Sequence, residues 1–382
     1  MDLDPNDPLL GAVVGGRYRI ERKLGEGGMS SVYEAKHLKL HRSFAIKVLL
    51  PTLVDNPEAQ RRFELEAEML AGLNHPNVVE ITDWQMLDDG SPCMVLEYLH
   101  GATLRARMTR GPLPWEAIAK IGDQTMSALT LAHRNGITHR DLKPDNIFIA
   151  IDDVGDERVK LLDFGVSKLR GLGTMTGVYN MLGTPSYMSP EQAMGNSAEV
   201  GPKTDVWAMG TILYELATGR AAFACDNLAD TLMRITTTPP DPLMALRHDA
   251  PGAFIELVER ALSLDPARRI VEIDELRVRL REALDPRNMY RVNTPIRGVP
   301  LVMAPPAPAG STPLANPLGA PGGPRAKPPT GGQAILPIPV PIAASGTSAV
   351  KVSSWNRRRV LWIAGIAAIL VSGGAAAIVL AM

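Results

Sequence analysis

Three short strands separated by turns are predicted near the N-terminus from the apolar and polar positions of YRIERKL, SSVYEAKHL and SFAIKVLL. The spacing changes to that of a helix in NPEAQRRFELEAEMLAGL, which carries Phe63, Ala67 and Leu70 on one face. This helix is expected to start after Pro57 and to reach Gly72. Another pair of strands is predicted in VVEITDW and PCMVLEYL.

The sequence that follows is mostly helical, as in WEAIAKIGDQTMSALTLAHRNG and DVWAMGTILYELATG. Strands first and helices afterwards favour an α+β fold over an alternating parallel sheet. We therefore assign one folded domain to residues 18–284, preceded by an N-terminal extension of residues 1–17.

The next region, residues 285–356, is predicted to be a basic linker rich in Pro, Gly and Ala. Residues 292–350 hold 14 of the 32 prolines, a composition that buries too little apolar surface to offset the entropy of ordering. Disorder with extended, polyproline-like pieces is therefore expected. The alternative is a proline-motif ligand for a small adaptor domain.

The final region, residues 357–382, is predicted to be a transmembrane anchor. Val360 to Met382 are 23 residues without a charge, and about 20 apolar residues suffice to cross a bilayer. Arg357, Arg358 and Arg359 precede this run, so the positive-inside rule places the front of the protein in the cytoplasm, with almost nothing expected beyond the bilayer. The alternative is a buried core helix.

Small residues recur every four positions in this run and are compatible with helix pairing or simply with an alanine-rich span: Ala364, Ala368, Ser372, Ala376.

Charge separates the front of the chain from its tail. Nine bases and no acid follow Asp285, so the 40 bases and 41 acids divide into a front of about −10 and a tail of +9. An acidic body argues against nucleic acid as a partner, and the basic tail suits anionic membrane lipid.

The two cysteines, Cys93 and Cys225, form neither a disulfide framework nor a zinc motif. The N-terminus lacks the pattern of a signal peptide.

Two motifs in the predicted sheet are typical of phosphate binding. LGEGGMSSVYEA lies between the first two strands, where a glycine-rich loop can donate backbone N–H groups, although glycines there are more often only turn residues. Gly25 and Gly27 fit the spacing G-x-G-x-x-G, whereas Ser30 departs from it and Gly28 restores flexibility. Lys47, in FAIK, needs a carboxylate partner if it points inward, and the next helix offers Glu64, Glu66 and Glu68.

Further along, HRDLKPDN and LLDFGVSK supply oxygen donors. Asp141, Asn146 and Asp163 form the hard ligand set that Mg²⁺ accepts together with bound phosphates. The motifs FAIK, HRDLKPDN and DFG follow one another in the order of the protein-kinase signature set, and SPE at Ser189–Glu191 stands where A-P-E is usual.

On these motifs the chain resembles a protein kinase, specifically the eukaryotic-like (Hanks-type) serine/threonine kinases of bacteria, over residues 18–284. GEGGMSSVYEA, LNHPNVV, LEYLHGATL and GTPSYMSPEQ add to the resemblance. It implies a bilobal fold with a small β-rich lobe and a larger helical lobe. It also implies the substrate ATP, the cofactor Mg²⁺ (with Mn²⁺ as the alternative) and an attachment to the inner (cytoplasmic) membrane.

The resemblance also implies the nucleotide site. Lys47 would hold the α- and β-phosphates and pair with Glu66, which lies nine residues before His75. Leu96 resembles the gatekeeper residue. The implied nucleotide-binding residues are Leu24, Gly25, Glu26, Gly27, Gly28, Val32, Ala45, Lys47, Glu66, Glu97 and Leu99.

The implied catalytic residues are Asp141, which would accept the proton of the substrate hydroxyl, and Lys143, which would neutralise the γ-phosphoryl group. Asn146 and Asp163 would hold the metal. Lys143 is the residue that serine/threonine kinases carry at this position, and Thr184 resembles the threonine that bonds to the catalytic pair.

Other positions have a structural role by the same resemblance. Asp205 would brace the catalytic loop, and Glu191 would form a buried ion pair with Arg269. His139 is expected to support the loop rather than act as a base, since the proton belongs to Asp141.

Regulation is expected in the segment after Asp163. Arg140 can meet a phosphate there, and we expect Thr174 or Thr176 to be phosphorylated by another copy of the chain, which implies at least a transient homodimer. The other hydroxyls there are Ser167 and Tyr179, and the alternative is a loop without a regulatory role. A catalytically weak membrane-tethered scaffold is the competing function, but Lys47, Glu66 and the other implied residues are all present. Proteins with Ser or Thr acceptors are the implied substrates.

Overall fold

The small lobe is built on one antiparallel sheet of six strands. A computed structural model describes residues 7–164 and 185–289. The sheet has the order β1-β2-β3-β4-β6-β5. Its strands are β1 (Val13–Val14), β2 (Tyr18–Glu26), β3 (Ser30–His37), β4 (Ser43–Leu49), β5 (Ile81–Met86) and β6 (Pro92–Glu97). The predicted strands are therefore confirmed.

Strand β1 begins before the assigned domain. Val13 pairs with Arg19 and Val14 with Tyr18, and the Gly11 N–H donates to the Ile20 carbonyl at 2.9 Å. Part of the predicted extension, residues 7–17, is thus packed on the small lobe. A two-residue strand has too few alternating positions to show a pattern in the sequence.

Helix α1 (Pro57–Gly72) packs beside this sheet. It begins where the Asn56 side chain accepts hydrogen bonds from two backbone N–H groups of the first turn, and Pro57 occupies a position that needs no donor. The predicted apolar face is confirmed, since Phe63, Ala67 and Leu70 are buried. This face fixes the rotation of the helix and hence the direction in which its glutamates point.

The large lobe is mostly helical. It also contains a sheet of three strands: β7 (Gly101–Thr103), β8 (Ile147–Ile151) and β9 (Glu157–Leu161). Strand β7 is the first element after the small lobe in the sequence. Its helices are α2 (Leu104–Met108), α3 (Trp115–Arg134), α4 (Pro190–Ala193), α5 (Pro202–Thr218), α6 (Leu228–Thr237), α7 (Leu243–Leu246), α8 (Gly252–Ala261), α9 (Ile273–Ala283) and α10 (Pro286–Met289). Helix α5 is buried from Thr204 to Thr218, which makes it the centre of the lobe.

The chain passes from the small lobe to the large one through residues 97–101. Gly101 has φ of 141°, and a Cβ atom there would lie 2.0 Å from the Ile149 carbonyl oxygen. Only glycine fits this close approach, and the strand that it opens leads directly into α2. The crossing therefore has a fixed conformation at its far end.

The prediction of a bilobal α+β fold is confirmed for the residues described. Within residues 7–164 and 185–289, no helix is both long and apolar enough to span a bilayer. The predicted linker of residues 285–356 begins too early, since Pro286–Met289 form α10; its residues from 290 onward and the predicted anchor of residues 357–382 lie outside the described residues.

Candidate active site

A buried lysine joins the two lobes at the candidate site. The Lys47 Nζ lies 2.6 Å from Glu66 Oε1 of α1 and 2.7 Å from Asp163 Oδ1. The Lys47 side chain is 8% exposed, whereas that of Asp163 is 55% exposed. Of the three glutamates that the sequence offered, the structure thus brings Glu66 to the lysine.

The Lys47 ammonium group forms ion pairs with two carboxylates, and this arrangement sets the pKa values of all three groups. Burial lowers the pKa of Lys47, but the charges of Asp163 and Glu66 outweigh burial and leave it above its ordinary value. Burial and the like charge of Asp163 raise the pKa of Glu66 to about 7, and the charge of Lys47 only partly offsets them. The pKa of Asp163 moves down, since the attraction of Lys47 overcomes the cost of burial.

The raised pKa of Glu66 predicts a pH-dependent stability. The folded state keeps this proton up to about pH 7, whereas the unfolded chain releases it near 4.5, so the contribution to stability is lost as pH rises through that window. The variant Glu66→Gln has no ionisable group at this position. The free energy of unfolding of wild type relative to Glu66→Gln is expected to fall by about 1–3 kcal/mol between pH 5 and pH 8.

Urea unfolding of the full chain in detergent at several pH values measures this difference. Glu64→Gln replaces a carboxylate of the same helix whose side chain is 50% exposed, and it is the matched control. A constant difference in the free energy of unfolding between wild type and Glu66→Gln over this pH range would contradict a buried Glu66 with a raised pKa.

The loop after α3 brings together an acid, a base and an amide. The Lys143 Nζ donates to Asp141 Oδ2 at 2.9 Å, and the Asn146 Nδ2 donates to the Asp141 carbonyl oxygen at 2.9 Å. The Leu162 N–H donates to the Asn146 carbonyl at 2.9 Å. Asn146 therefore links the Asp141 loop to the segment that carries Asp163.

The backbone of this loop is held from beneath. Asp205 of α5 accepts from the N–H groups of His139 and Arg140, both at 2.8 Å, and Gln192 of α4 donates to the Arg140 carbonyl at 2.8 Å. Arg140 has φ of 64° and Asp163 has φ of 30°, and non-glycine residues with positive φ cluster at functional sites. The loop is thus fixed in a strained conformation by α4 and α5.

His139 lies under this loop as a core side chain. It is fully buried, its ring centroid lies 4.8 Å from that of Phe164, and burial lowers its pKa. A buried, neutral imidazole in contact with an aromatic ring has the environment of a packing residue.

The glycine-rich turn between β2 and β3 closes by a backbone hydrogen bond from Gly27 to the Ser30 carbonyl at 2.8 Å. A Cβ atom on Gly25 or Gly28 would meet nothing within 4 Å, so these positions border open space. Ser30 is the first residue of β3 and is buried. Its departure from glycine therefore falls inside the strand and not in the open part of the turn.

The remaining predicted nucleotide residues lie on β2, β3, β4 and the crossing. Ala45 is opposite Leu96 in the sheet, Val32 is opposite Lys47, and Leu96 is buried. The Glu97 side chain accepts from the Glu80 N–H at 2.8 Å and from Lys160 at 2.5 Å. Leu24 lies in β2, and Leu99 is partly buried against the main core.

Three charged side chains next to this site were missed in the sequence. Lys160 of β9 ties Glu97 to the large lobe, and Lys23 forms an ion pair with Glu26 at the start of the glycine-rich turn at 2.5 Å. Arg105 of α2 contacts Asp145 of the Asp141 loop at 3.5 Å. Each pairs with a residue that the motifs do identify. An isolated base in a strand or a short helix gives no signal of its own in a single sequence.

The lower end of the site is braced by an ion pair. Glu191 lies 3.1 Å from Arg269, with side chains 3% and 8% exposed, and it also accepts from the Thr204 hydroxyl at 3.0 Å. The predicted hydroxyls of the segment between Asp163 and this pair lie outside the described residues: Ser167, Thr174, Thr176, Tyr179 and Thr184.

Known proteins are similar to this chain in sequence and in fold. Residues 18–277 match the family model described as protein kinase domain. The chain is 36% identical over 286 residues to the serine/threonine-protein kinase pkn3 of Myxococcus xanthus, covering 73% of this chain and 52% of that protein. It is 35% identical to the serine/threonine-protein kinase PrkC of Bacillus subtilis, covering 72% of this chain and 42% of that protein. The chain thus spans about half the length or less of these two relatives.

Among solved structures, the kinase domain of Mycobacterium tuberculosis PknI is 29% identical, with a TM-score of 0.55, and the match covers 72% of this chain and 98% of that one. The bilobal fold and the site geometry define the protein-kinase class. Because the family model covers more than half of the residues, this chain belongs to the protein kinase domain family.

Proposed function

We propose that this chain is an ATP-dependent protein serine/threonine kinase of bacterial signal transduction, which transfers the γ-phosphoryl group of ATP to Ser and Thr hydroxyls. One observation carries the proposal. Lys47 is bonded to both Glu66 and Asp163, at 2.6 and 2.7 Å, while Asn146 connects that segment to Asp141 and Lys143. A cation, a proton acceptor and oxygen donors therefore lie together in one site.

Phosphoryl transfer is catalysed mainly by positioning and by electrostatic stabilisation, and each group has a part in that chemistry. Asp141 orients the acceptor hydroxyl and takes its proton. Lys143, bonded to Asp141 at 2.9 Å, neutralises negative charge on the group in transfer. Lys47 holds the α- and β-phosphates, and Glu66 keeps its ammonium group in place.

Asn146 and Asp163 would hold Mg²⁺, or Mn²⁺ in its place. Among residues 7–164 and 185–289, no three His, Cys, Asp or Glu side chains come close enough to form a metal site by themselves. That fits a magnesium ion held by one or two protein oxygens and the phosphates of the substrate, and the Asp163 carboxylate is half exposed. The bound ion would supply positive charge to the phosphate oxygens.

The adenine of ATP is proposed to lie against Val32 and Ala45, with the chain crossing at residues 97–101 along its edge. Backbone groups of Glu97 and Leu99 would meet its edge, with Leu96 behind it. Residues 24–28 would cover the phosphates, and the open space beside Gly25 and Gly28 supports that role.

Transfer of label from radioactive ATP tests the proposal. The full chain, purified in detergent, is incubated with ATP, Mg²⁺ and peptides that differ only in a Ser, Thr or Tyr acceptor. We expect label on the Ser and Thr peptides and on the chain itself, none on the Tyr peptide, and none after chelation of the metal. Binding of ATP without transfer to any acceptor would overturn the proposal in favour of a membrane-tethered scaffold.

We also propose that Thr174 or Thr176 is phosphorylated by a second copy of the chain, which orders the segment for catalysis. Arg140 supports this, since its backbone is fixed beside Asp141 and its guanidinium group suits a phosphate. Mass spectrometry of chain incubated with ATP and Mg²⁺ is expected to find phosphate on one of the two threonines, and Asp141→Asn is the control. Active chain with both threonines unmodified would contradict the proposal.

Attachment to the inner membrane is proposed from the sequence of the C-terminal region. The anchor is proposed at residues 357–382 and the linker at residues 290–356, because β1 (Val13–Val14) and α10 (Pro286–Met289) extend the folded domain beyond the predicted bounds of 18 and 284. The uncharged run from Val360 and the three arginines before it support a single span with the catalytic domain in the cytoplasm. Membrane lipid and a second copy of the chain are the proposed partners beside the protein substrates.

A further inference from the structure

A series of polar contacts links the start of the described chain to the glycine-rich turn. The Lys23 Nζ of β2 lies 2.5 Å from Glu26 Oε2 and 3.5 Å from Asp7 Oδ2. Glu26 Oε2 also accepts from the Ser31 hydroxyl at 3.1 Å, and Asp7 Oδ2 accepts from the Tyr33 hydroxyl at 2.9 Å. Lys23 therefore lies between a carboxylate at the start of the turn and a carboxylate that precedes the sheet.

The two sides of this turn are held in different ways. On the β3 side, Met29 packs against the main core, and its carbonyl accepts from the Leu50 N–H at 2.9 Å. On the β2 side, the register of the sheet shifts between Lys23 and Gly25, as in a β-bulge. A strand bends at a bulge, so backbone pairing alone does not fix the angle of the turn there. The ion pair between Lys23 and the exposed Glu26 spans this bulge.

Asp7 is fixed on the small lobe, although it precedes the residues that match the family model. Its second carboxylate oxygen accepts from the Leu9 N–H at 3.1 Å, and its carbonyl accepts from the Leu10 N–H at 3.1 Å. Leu9 and Leu10 pack against an apolar cluster of the small-lobe sheet, and the Asp7 side chain is only 10% exposed. Residues 7–14 thus form a support from which a carboxylate reaches Lys23.

A contribution to stability alone is the simpler interpretation of these contacts. Lys23 is 27% exposed and Glu26 is 52% exposed, however, and ion pairs at such positions contribute little to stability. The hydrogen bond between them lowers the pKa of Glu26 and raises the pKa of Lys23, so both groups keep their charges. The charge of Glu26 repels phosphates that approach the turn, and the neighbouring ammonium group offsets this repulsion.

We propose that Lys23 and Asp7 are positioning residues for ATP: Lys23 holds Glu26 across the bulge of β2, and Asp7 holds Lys23 from the N-terminal segment. This proposal rests on the proposed kinase function, in which residues 24–28 cover the phosphates. Residues 7–14 then support the nucleotide site from outside the part of the chain that matches the family model. Because both side chains act through the turn, binding of ATP depends on them more than the transfer step does.

Steady-state kinetics of the full chain in detergent test this proposal, with ATP varied at a saturating Ser or Thr peptide. We expect Lys23→Met to raise the KM for ATP about threefold to tenfold, the factor for one lost hydrogen-bonded contact, and to change kcat less than about twofold. Calorimetric titration with ATP and Mg²⁺ is expected to show the same rise in Kd. Lys23→Arg keeps the cation and is expected to behave as wild type. Lys36→Met, at an exposed lysine of β3, is the matched control.

The part assigned to Asp7 is tested with Asp7→Asn, which can still accept from the Leu9 N–H. We expect it to raise the KM for ATP about twofold to fivefold, less than Lys23→Met does, because the ion pair that it loses is longer. Asp7→Asn combined with Lys23→Met is expected to raise KM no further than Lys23→Met alone, since Asp7 acts through Lys23. Asp88→Asn, in the exposed turn between β5 and β6, is the matched control.

The outcomes separate this inference from the proposed function. No transfer by wild type to any Ser or Thr peptide would overturn the kinase proposal itself. Transfer by wild type, with the KM and Kd for ATP unchanged in Lys23→Met and Asp7→Asn, would overturn the inference and leave a surface brace. A loss confined to kcat would also overturn it. If Lys23→Met does not fold, Lys23→Gln removes the charge from a polar side chain and is expected to raise KM in the same way.

Discussion

Replacing Asp141 by asparagine is expected to lower kcat for phosphoryl transfer about 10²–10⁴-fold, the usual contribution of a positioned proton acceptor. The KM for ATP is expected to change less than about threefold, since the role proposed for Asp141 is on the acceptor hydroxyl and not on the nucleotide. Asparagine has the same size, and its amide oxygen can still accept from Lys143, which lies 2.9 Å from the carboxylate. The loss is therefore one of chemistry and not of folding.

Initial rates with ATP and the best Ser or Thr peptide measure this effect on the full chain. Asp153→Asn, in the exposed turn between β8 and β9, is the matched control and is expected to behave as wild type. An Asp141→Asn chain that retains a tenth or more of wild-type kcat would show that another group takes the proton. A variant with a lowered unfolding midpoint would instead indicate a structural role.

The sequence predicts the small lobe well because its signals are local. Helix α1 has an asparagine cap, a proline in its first turn and three apolar residues at helical spacing, and the structure has the helix at Pro57–Gly72. The longer strands are apolar runs bounded by turn residues, which the sequence shows locally. Strand β1 has no such signal, because two valines are too few to show a period; they are placed by their pairing with residues 18–19 and by the burial of Val14.

The candidate site is predictable to the extent that motifs encode it. The position of Glu66 before His75 predicts its pairing with Lys47, and the distance of 2.6 Å agrees. The simultaneous contact of Lys47 with Asp163, 116 residues away, follows only from how the two lobes close. Contacts such as Arg105 with Glu215, 110 residues apart, depend on helix packing and leave no periodic trace.

The large lobe explains why the catalytic loop keeps its strained shape. Asp205 lies on α5, the most buried helix, and its carboxylate holds two successive N–H groups of the loop while also accepting from His133 at 2.8 Å. A carboxylate so bonded in the core fixes the backbone on which Asp141 stands. The position of the loop thus depends on a side chain of α5.

Lys47→Met is expected to lower kcat/KM for ATP about 10²–10³-fold, comparable to the loss of one preorganised electrostatic group. Methionine has a similar length and fills the space, but it leaves Glu66 and Asp163 without the cation that lies 2.6 and 2.7 Å from them. Phosphate binding and the position of α1 then fail together. Lys36→Met, on the exposed side of β3, is the matched control for the loss of a strand lysine.

The same variant is expected to be less stable by about 3–5 kcal/mol at pH 8, because Glu66 without its cation must either be buried as an unpaired charge or take up a proton when the chain folds. Without Lys47, the pKa of Glu66, already about 7, rises further, so the folded state holds this proton over a wider range. Stability is therefore expected to fall more steeply between pH 5 and pH 8 in Lys47→Met than in wild type. Urea unfolding at both pH values measures it.

The double variant Lys47→Met with Glu66→Gln separates catalysis from folding. It has no unpaired charge at position 66, so it is expected to be more stable than Lys47→Met at pH 8 by about 1–3 kcal/mol, the range of coupling between residues in contact. Its activity is expected to stay as low as that of Lys47→Met, since no cation returns to the phosphates. A double variant that is no more stable than the single one would show that the carboxylate is not buried as the structure has it. A Lys47→Met chain as active as Lys36→Met would remove the lysine from the nucleotide site altogether.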